Sequence, residues 1–206
     1  MSLWSKRDHA ALLFLGVVTV LTMLVMLKVE LPLLMGLSPD WERKIDSYRV
    51  ILHIHAVLGS VALFSAPLQF VGHFRRSHVR LHRRLGMSYA LSVLASAPIG
   101  VYIAFAHLSG LEMWAGALQG VMWFGCTALA VRTIFNRQLA QHRLWIMRSY
   151  ALTLTFVVSR LLIDVLGIRL AASEGGNGTV LCMITLAALA LAELLGQPRG
   201  ASALPA

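Results

Sequence analysis

The sequence predicts an all-α membrane protein: one polytopic domain over residues 1–206, with six transmembrane helices and both termini in the cytoplasm. Three observations carry this. Of the 206 residues, 58% are hydrophobic, and mean hydropathy is +0.73. Charged residues make up 13%, where a soluble domain carries about a quarter. The apolar residues also gather into six runs, each close to the roughly 20 residues that a helix needs to cross hydrocarbon. Strands are excluded because no period-2 alternation is present, and an open strand cannot satisfy its backbone in lipid.

The first run, about 10–27, follows Lys6 and Arg7. No small-residue cleavage site follows it, so it reads as a retained helix rather than a signal peptide. Lys28, Glu30 and Pro32 close it. A long connection leads to the second run at 50–72; Ser38-Pro39-Asp40 marks a turn there and Trp41 an interfacial anchor on a short surface segment. Pro67 predicts a kink near the end of this second helix. The third run is 86–106, entered from the arginine-rich stretch Arg75–Arg84, which reads as a loop. The fourth is 113–135 and the fifth 144–166. A glycine-rich connection, Ser173–Gly178, precedes the sixth run at 179–196. The tail, 197–206, reads as disordered.

Lysine and arginine set the orientation. The N-terminus, the second and fourth connections and the C-terminus hold eleven of them, whereas the opposite side holds five: Lys28, Arg43, Lys44, Arg49 and Arg169. The eleven mark the cytoplasmic side. The net charge of +9 is thereby a matter of topology and lipid contact, with no nucleic-acid partner implied. The reading is a multi-pass protein of a bacterial cytoplasmic (inner) membrane. Cys126 and Cys182 form no CxxC pair and read as small buried hydrophobes. No Gly-x-Ser-x-Gly, Walker A or His-Glu-x-x-His motif is present, which speaks against an enzyme with a covalent nucleophile; a redox-active chain would be an electron-transfer protein.

Polar residues line up on three helices. With about 100° per residue, His55, Gly59, Ala62, Ala66, Gln69 and His73 share one face of the second helix. His82, Gly86, Tyr89, Ser96, Gly100 and His107 share one face of the third. His142, Ser149, Thr153, Arg160 and Asp164 share one face of the fifth, where Arg160 and Asp164 form an i, i+4 ion pair inside the membrane. Such a pair should face protein or water. Pointing the three stripes at one another places His55 and His107 at the outer level, and His73, His82 and His142 at the inner level.

Two segments, "HAVLGSVALFSAPLQF" with "RLHRRLGMSYAL", and "QHRLWIMRSYALTLTFVVSRLL", resemble the bacterial predicted membrane proteins grouped as domain of unknown function 2306. The residues carrying the resemblance are His55 and Gly59, then His82, Arg83, Gly86 and Tyr89, then His142, Arg143, Trp145, Arg148, Ser149, Tyr150, Ala151 and Arg160. It covers roughly residues 50–165; Met147 stands one place later than in the family pattern. The family implies a compact multi-helix unit and no particular activity. In the depth of its histidines the chain is more loosely similar to diheme b-type cytochromes.

Two functional expectations follow. The first is a heme b electron carrier, ligated by His55 with His107 and by His82 with His142, with His73 as a spare. Arg83, Arg143 and Arg148 would meet the propionates, and a quinone or another redox membrane protein would exchange electrons. A metal ion held by His55, His82 and His142 is a variant. The alternative is a non-redox protein binding or transporting an anion, proton or lipid headgroup. Its polar cavity would be built from Gln69, Tyr89, Arg148, Ser149, Thr153, Arg160 and Asp164. A third reading is an assembly subunit of a larger membrane complex.

Overall fold

The computed structural model describes residues 6–37, 46–167 and 176–196, and every regular element in them is helical. Six helices among these residues are long and apolar enough to cross a membrane. Helix α1, Lys6–Val25, runs on through a π turn at Met26–Glu30 and a last α turn at Leu31–Leu34. Then come α2 (Arg49–Ser65), the short α3 (Gly72–Ser77), α4 (Val79–His107), α5 (Gly110–Phe135) and α6 (Leu139–Arg160). A second π turn, Leu161–Val165, extends α6, and α7 is Gly176–Gly196. The surface segment expected around Trp41, the residues 173–175 and the tail 197–206 lie outside the described residues.

Three helix boundaries differ from the sequence reading, each for a physical reason. Helix α1 does not stop at Leu27. Lys28 is exposed, Glu30 is buried against an arginine of α6, and Pro32 is the second residue of the last α turn, where a missing N–H costs little. Pro67 does more than kink the second helix. The α-helix ends at Ser65, a 3-10 turn covers Pro67–Phe70, and Val71 is extended with φ −82° and ψ 110°. His73 therefore sits on α3, and the continuous face drawn from His55 to His73 does not exist. The arginine-rich stretch is also helical. α4 starts at Val79, so Arg80, His82, Arg83 and Arg84 lie on its first two turns, the arginines exposed. Their long stems can carry the charge to headgroup level.

α4 packs between α2 and α5, while α6 packs against α5 and α7. The chain passes alternately, so one end of the bundle gathers the start of α1, α3, the α5–α6 turn and the end of α7: the arginine-rich end. Ala62, Ala66, Tyr89, Val93 and Tyr150 form one buried core, with Phe70, Trp123, Ile146 and Leu154 packed on it. α1 lies at the edge and is held by a smaller cluster in which Val25 meets Leu63 and Val157. The α5–α7 crossing needs a glycine. A Cβ at Gly178 would come 2.8 Å from the Leu111 carbonyl carbon and from the Glu112 nitrogen. Large apolar side chains such as Leu13, Val20, Leu118 and Leu186 cover the outside, as lipid requires and water would penalise.

Candidate functional site

The two π turns meet. The turn at Met26–Glu30 contacts the turn at Leu161–Val165, and each widened turn aims a carboxylate at the same arginine. Arg160 stands at the start of the second turn. Its Nη1 donates to Asp164 Oδ2 at 3.1 Å, and its Nε lies 2.9 Å from Glu30 Oε1. The Glu30 side chain is only 7% exposed, against 35% for Arg160 and 33% for Asp164. Oε1 of Glu30 is fully buried and receives no well-directed hydrogen bond, so its contact with Arg160 is Coulombic attraction at short range rather than an aligned N–H···O. π turns recur at functional positions in helices; here they bring three charges together inside the membrane span.

These charges form one pole of a cavity of about 410 Å³ that all six long helices line. Small residues make the room: Ala56, Gly59 and Ser60 on α2, Ala97 and Gly100 on α4, Gly116 and Gly120 on α5. The cavity lies in the half of the bundle away from the arginine-rich end. Glu112 and Asn177 line it near the starts of α5 and α7, and Trp123 and Thr153 line it midway along α5 and α6. Gly59 has open space where a side chain would begin. His55 closes one wall. Its Nδ1 is 3.0 Å from both the Ser96 hydroxyl and the Ser96 carbonyl oxygen. Its ring lies so close to Gly100 that a Cβ there would be 2.9 Å from Cε1. Outside the lining, Tyr48, just before α2, stacks on His107, the last residue of α4, with ring centres 3.9 Å apart. Burial pushes the Tyr48 phenol up, while the nearby Arg160 pulls it down, so Tyr48 stays neutral.

Around Trp123 and Thr153, a hydroxyl network ties α4, α5 and α6. The Tyr89 hydroxyl meets Ser149 Oγ at 2.6 Å and Thr153 Oγ1 at 2.9 Å. Thr127 and Ser149 hydroxyls are 2.7 Å apart, and the Trp123 indole N–H donates to Thr153 Oγ1 at 2.9 Å. Gln119 reaches the Thr155 hydroxyl. All these polar groups are satisfied by one another, as groups buried from water must be.

The expected residues are thus only partly gathered. Tyr89, Ser149 and Thr153 share the network, and Arg160, Asp164 and Thr153 line the cavity. Gln69 does not reach the cavity; its Oε1 rests against Gly86, and its Nε2 is buried without a partner among the described residues. Arg148 faces α7, where its Nε donates to Glu193 Oε1 at 2.5 Å and its guanidinium lies 4.2 Å from the centre of the Trp145 ring.

The expected histidine pairs fare differently. His55 and His107 do not face each other. His55 is level with Ser96–Gly100, whereas His107 lies seven residues, about 10 Å, further along α4. His55 and His82 are further apart still, since Ser96 is fourteen residues, about 21 Å, from His82. The set His55, His82 and His142 is therefore not brought to one point, and among the described residues no group of three metal-ligating side chains occurs. His82 and His142 are near enough to interact electrostatically, along with Arg75 and Arg83. His142 Nδ1 donates to the Ala130 carbonyl at 2.8 Å. His73 lies beside the Ser77 hydroxyl on α3, and Arg83 and Arg143 are exposed.

Residues 52–195 match the family DUF2306, described as a predicted membrane protein. The chain belongs to the DUF2306 family. No curated protein and no solved structure matches it. The DUF2306 match takes in His55, His82, His142, Arg160 and Asp164 and begins just inside α2, leaving Glu30 on α1 outside it. Glu30, Glu112, Gln119, Trp123 and Thr127 are site residues that the sequence reading missed. Four of them were accessible to the same reasoning, because Glu112, Gln119, Trp123 and Thr127 recur at helical spacing on one face of α5. Glu30 was not, since nothing local to it names a partner 130 residues away.

Proposed function

We propose that this DUF2306 protein is a non-redox protein of the bacterial cytoplasmic membrane, with both termini in the cytoplasm, that binds a small, largely apolar molecule in the cavity between its helices. One observation carries the reading: about 410 Å³ of space, walled by small and apolar residues and charged at one pole by Glu30, Arg160 and Asp164. That volume lies within the range of about 300–1,000 Å³ found for small-molecule sites. The space is bounded by residues from every long helix. With two carboxylates and one guanidinium at the pole and Glu112 near the start of α5, the site disfavours an anion. The arginine distribution supports a cavity on the side away from the cytoplasm.

The test is to purify the full chain in mild detergent and identify what it carries by native mass spectrometry and solvent extraction. The expected result is a bound small molecule that Gly59→Leu expels without loss of folding, because the new side chain enters open space. A well-folded protein that carries the same molecule with and without that substitution would remove the cavity from the account.

The heme reading keeps one site, at the arginine-rich end. His142 uses Nδ1 for the Ala130 carbonyl and so leaves Nε2 free, the arrangement a metal-bound imidazole takes. Its partner would be His82, with Arg83 and Arg143 for the propionates and a quinone or redox membrane protein for the electrons. A reduced-minus-oxidised spectrum with a heme band that disappears in His142→Ala would establish this reading in place of the first. Colourless, monodisperse protein from a heme-replete host would end it.

A further inference from the structure

Resting on the cavity reading, we infer that the occupant is a lipophilic cation, an ammonium-type head on an apolar body, and that it exchanges with a proton held between Glu30 and Asp164. Charge drives the argument. Arg160 is the one cationic Lys or Arg side chain among those that line the cavity, and it faces two carboxylates, at 2.9 and 3.1 Å. A single guanidinium offsets one of them. The pole keeps one net negative charge, since both carboxylates share the same guanidinium and no second Lys or Arg lines the wall, and ionising both beside each other costs more than in water. The pole must hold a proton or meet a cation. The carboxylate open to such a head is Asp164, which lines the cavity and is 33% exposed, while Glu30 Oε1 is buried 2.9 Å from Arg160 Nε.

The rest of the wall selects the body of the molecule. Leu52, Leu63, Ile103 and Leu181 offer apolar contact, and the Trp123 ring is an aromatic partner of the kind a cation takes, while the Phe156 ring already has the Arg160 guanidinium 5.7 Å from its centre. A bare metal ion is a poor fit, because the described residues place no three ligating side chains together. The exchange balances simply: the carboxyl releases its proton to water as the cation arrives, and takes one back as it leaves. The other titratable or charged groups facing this pole are few. α2 brings His55, with Tyr48 just before it. α4 ends on His107, which stacks on Tyr48 and does not line the cavity, and α5 brings Glu112. α7 contributes Asn177 and no charge, while Lys28 shares a turn with Glu30 but is exposed and lines no part of the cavity.

The probes are three molecules of similar shape and different charge: tetraphenylphosphonium, triphenylphosphine oxide and tetraphenylborate. Binding to the full-length protein in detergent is measured by calorimetry in buffers of different ionisation enthalpy, from the carboxylate range up to neutral pH. The expected result is binding of the phosphonium alone, with one proton released per cation and affinity rising by up to about tenfold per pH unit until the site is ionised. Glu30→Gln and Asp164→Asn should each abolish the proton release and weaken binding. If Glu30→Gln fails to fold, Asp164→Asn and the charge series on the unmodified protein still decide. Equal, pH-independent binding of the phosphonium and the neutral oxide, both lost in Gly59→Leu, would overturn the cation inference and leave the cavity reading standing. Binding of none of the three, or binding that Gly59→Leu leaves unchanged, would overturn both.

Discussion

At the scale of single residues, Arg160 has the largest consequence. Two carboxylates depend on it, one of them almost fully buried. Removing one partner of a buried ion pair costs about 3–5 kcal/mol. Arg160 is a third exposed, so Arg160→Ala should fall toward the lower end, about 3 kcal/mol. Glu30→Gln on that background should recover part of the loss, which a double-mutant cycle on detergent-solubilised protein by thermal unfolding would read. Tyr89 tests the hydroxyl network. Tyr89→Phe removes the group that Ser149 and Thr153 share and should cost about 1–2 kcal/mol, with the cavity left intact. A full loss of folding would mean that the network carries more than its hydrogen bonds. Both sites contain residues that were recognisable as a polar stripe on the sequence. The direction each residue faces was less legible: Arg148 shares a helix with Ser149 and Thr153, yet it points to Glu193 of α7.

At the scale of elements, the π turns and the glycine crossing position the site. A π turn widens the helix and shifts the residues after it around the axis, which lets Glu30 and Asp164 converge on one guanidinium from helices α1 and α6. The crossing of α5 and α7 depends on Gly178, which lines the cavity. Gly178→Ala should push the Leu111 backbone away and lower stability by about 1–3 kcal/mol, the usual cost of overpacking. Protease or cysteine-reagent access at the α5 and α7 N-termini should rise with it. Unchanged stability would show that the two helices can separate freely there. The π turns were invisible in the sequence because Lys28, Glu30 and Pro32 read locally as the end of a span. In the fold, the glutamate is paired across the bundle, so the helix has no reason to stop. Pro67 was legible as a disruption, but its strength was not, because a kink and a full break share one local signal.

At the scale of the whole molecule, the arginine asymmetry predicts that both termini face the cytoplasm. A C-terminal green fluorescent protein fusion should fluoresce, and an alkaline phosphatase fusion at the same place should be inactive. Replacing Arg75, Arg76, Arg80, Arg83 and Arg84 with glutamine should scramble that result, since these five are the largest charge group on their side. The sequence by itself determined the class of solvent, the number of spans and the family, because those follow from hydropathy and from contiguous motifs. It also determined which helix faces are polar, because helical periodicity is a local property. Only the tertiary structure decided which stripes meet. Depth along a helix depends on where its partner starts, so His55 came level with Ser96 rather than His107. Likewise, the partner of a buried charge is set by packing between distant segments, and that is how Glu30 came to stand beside Arg160.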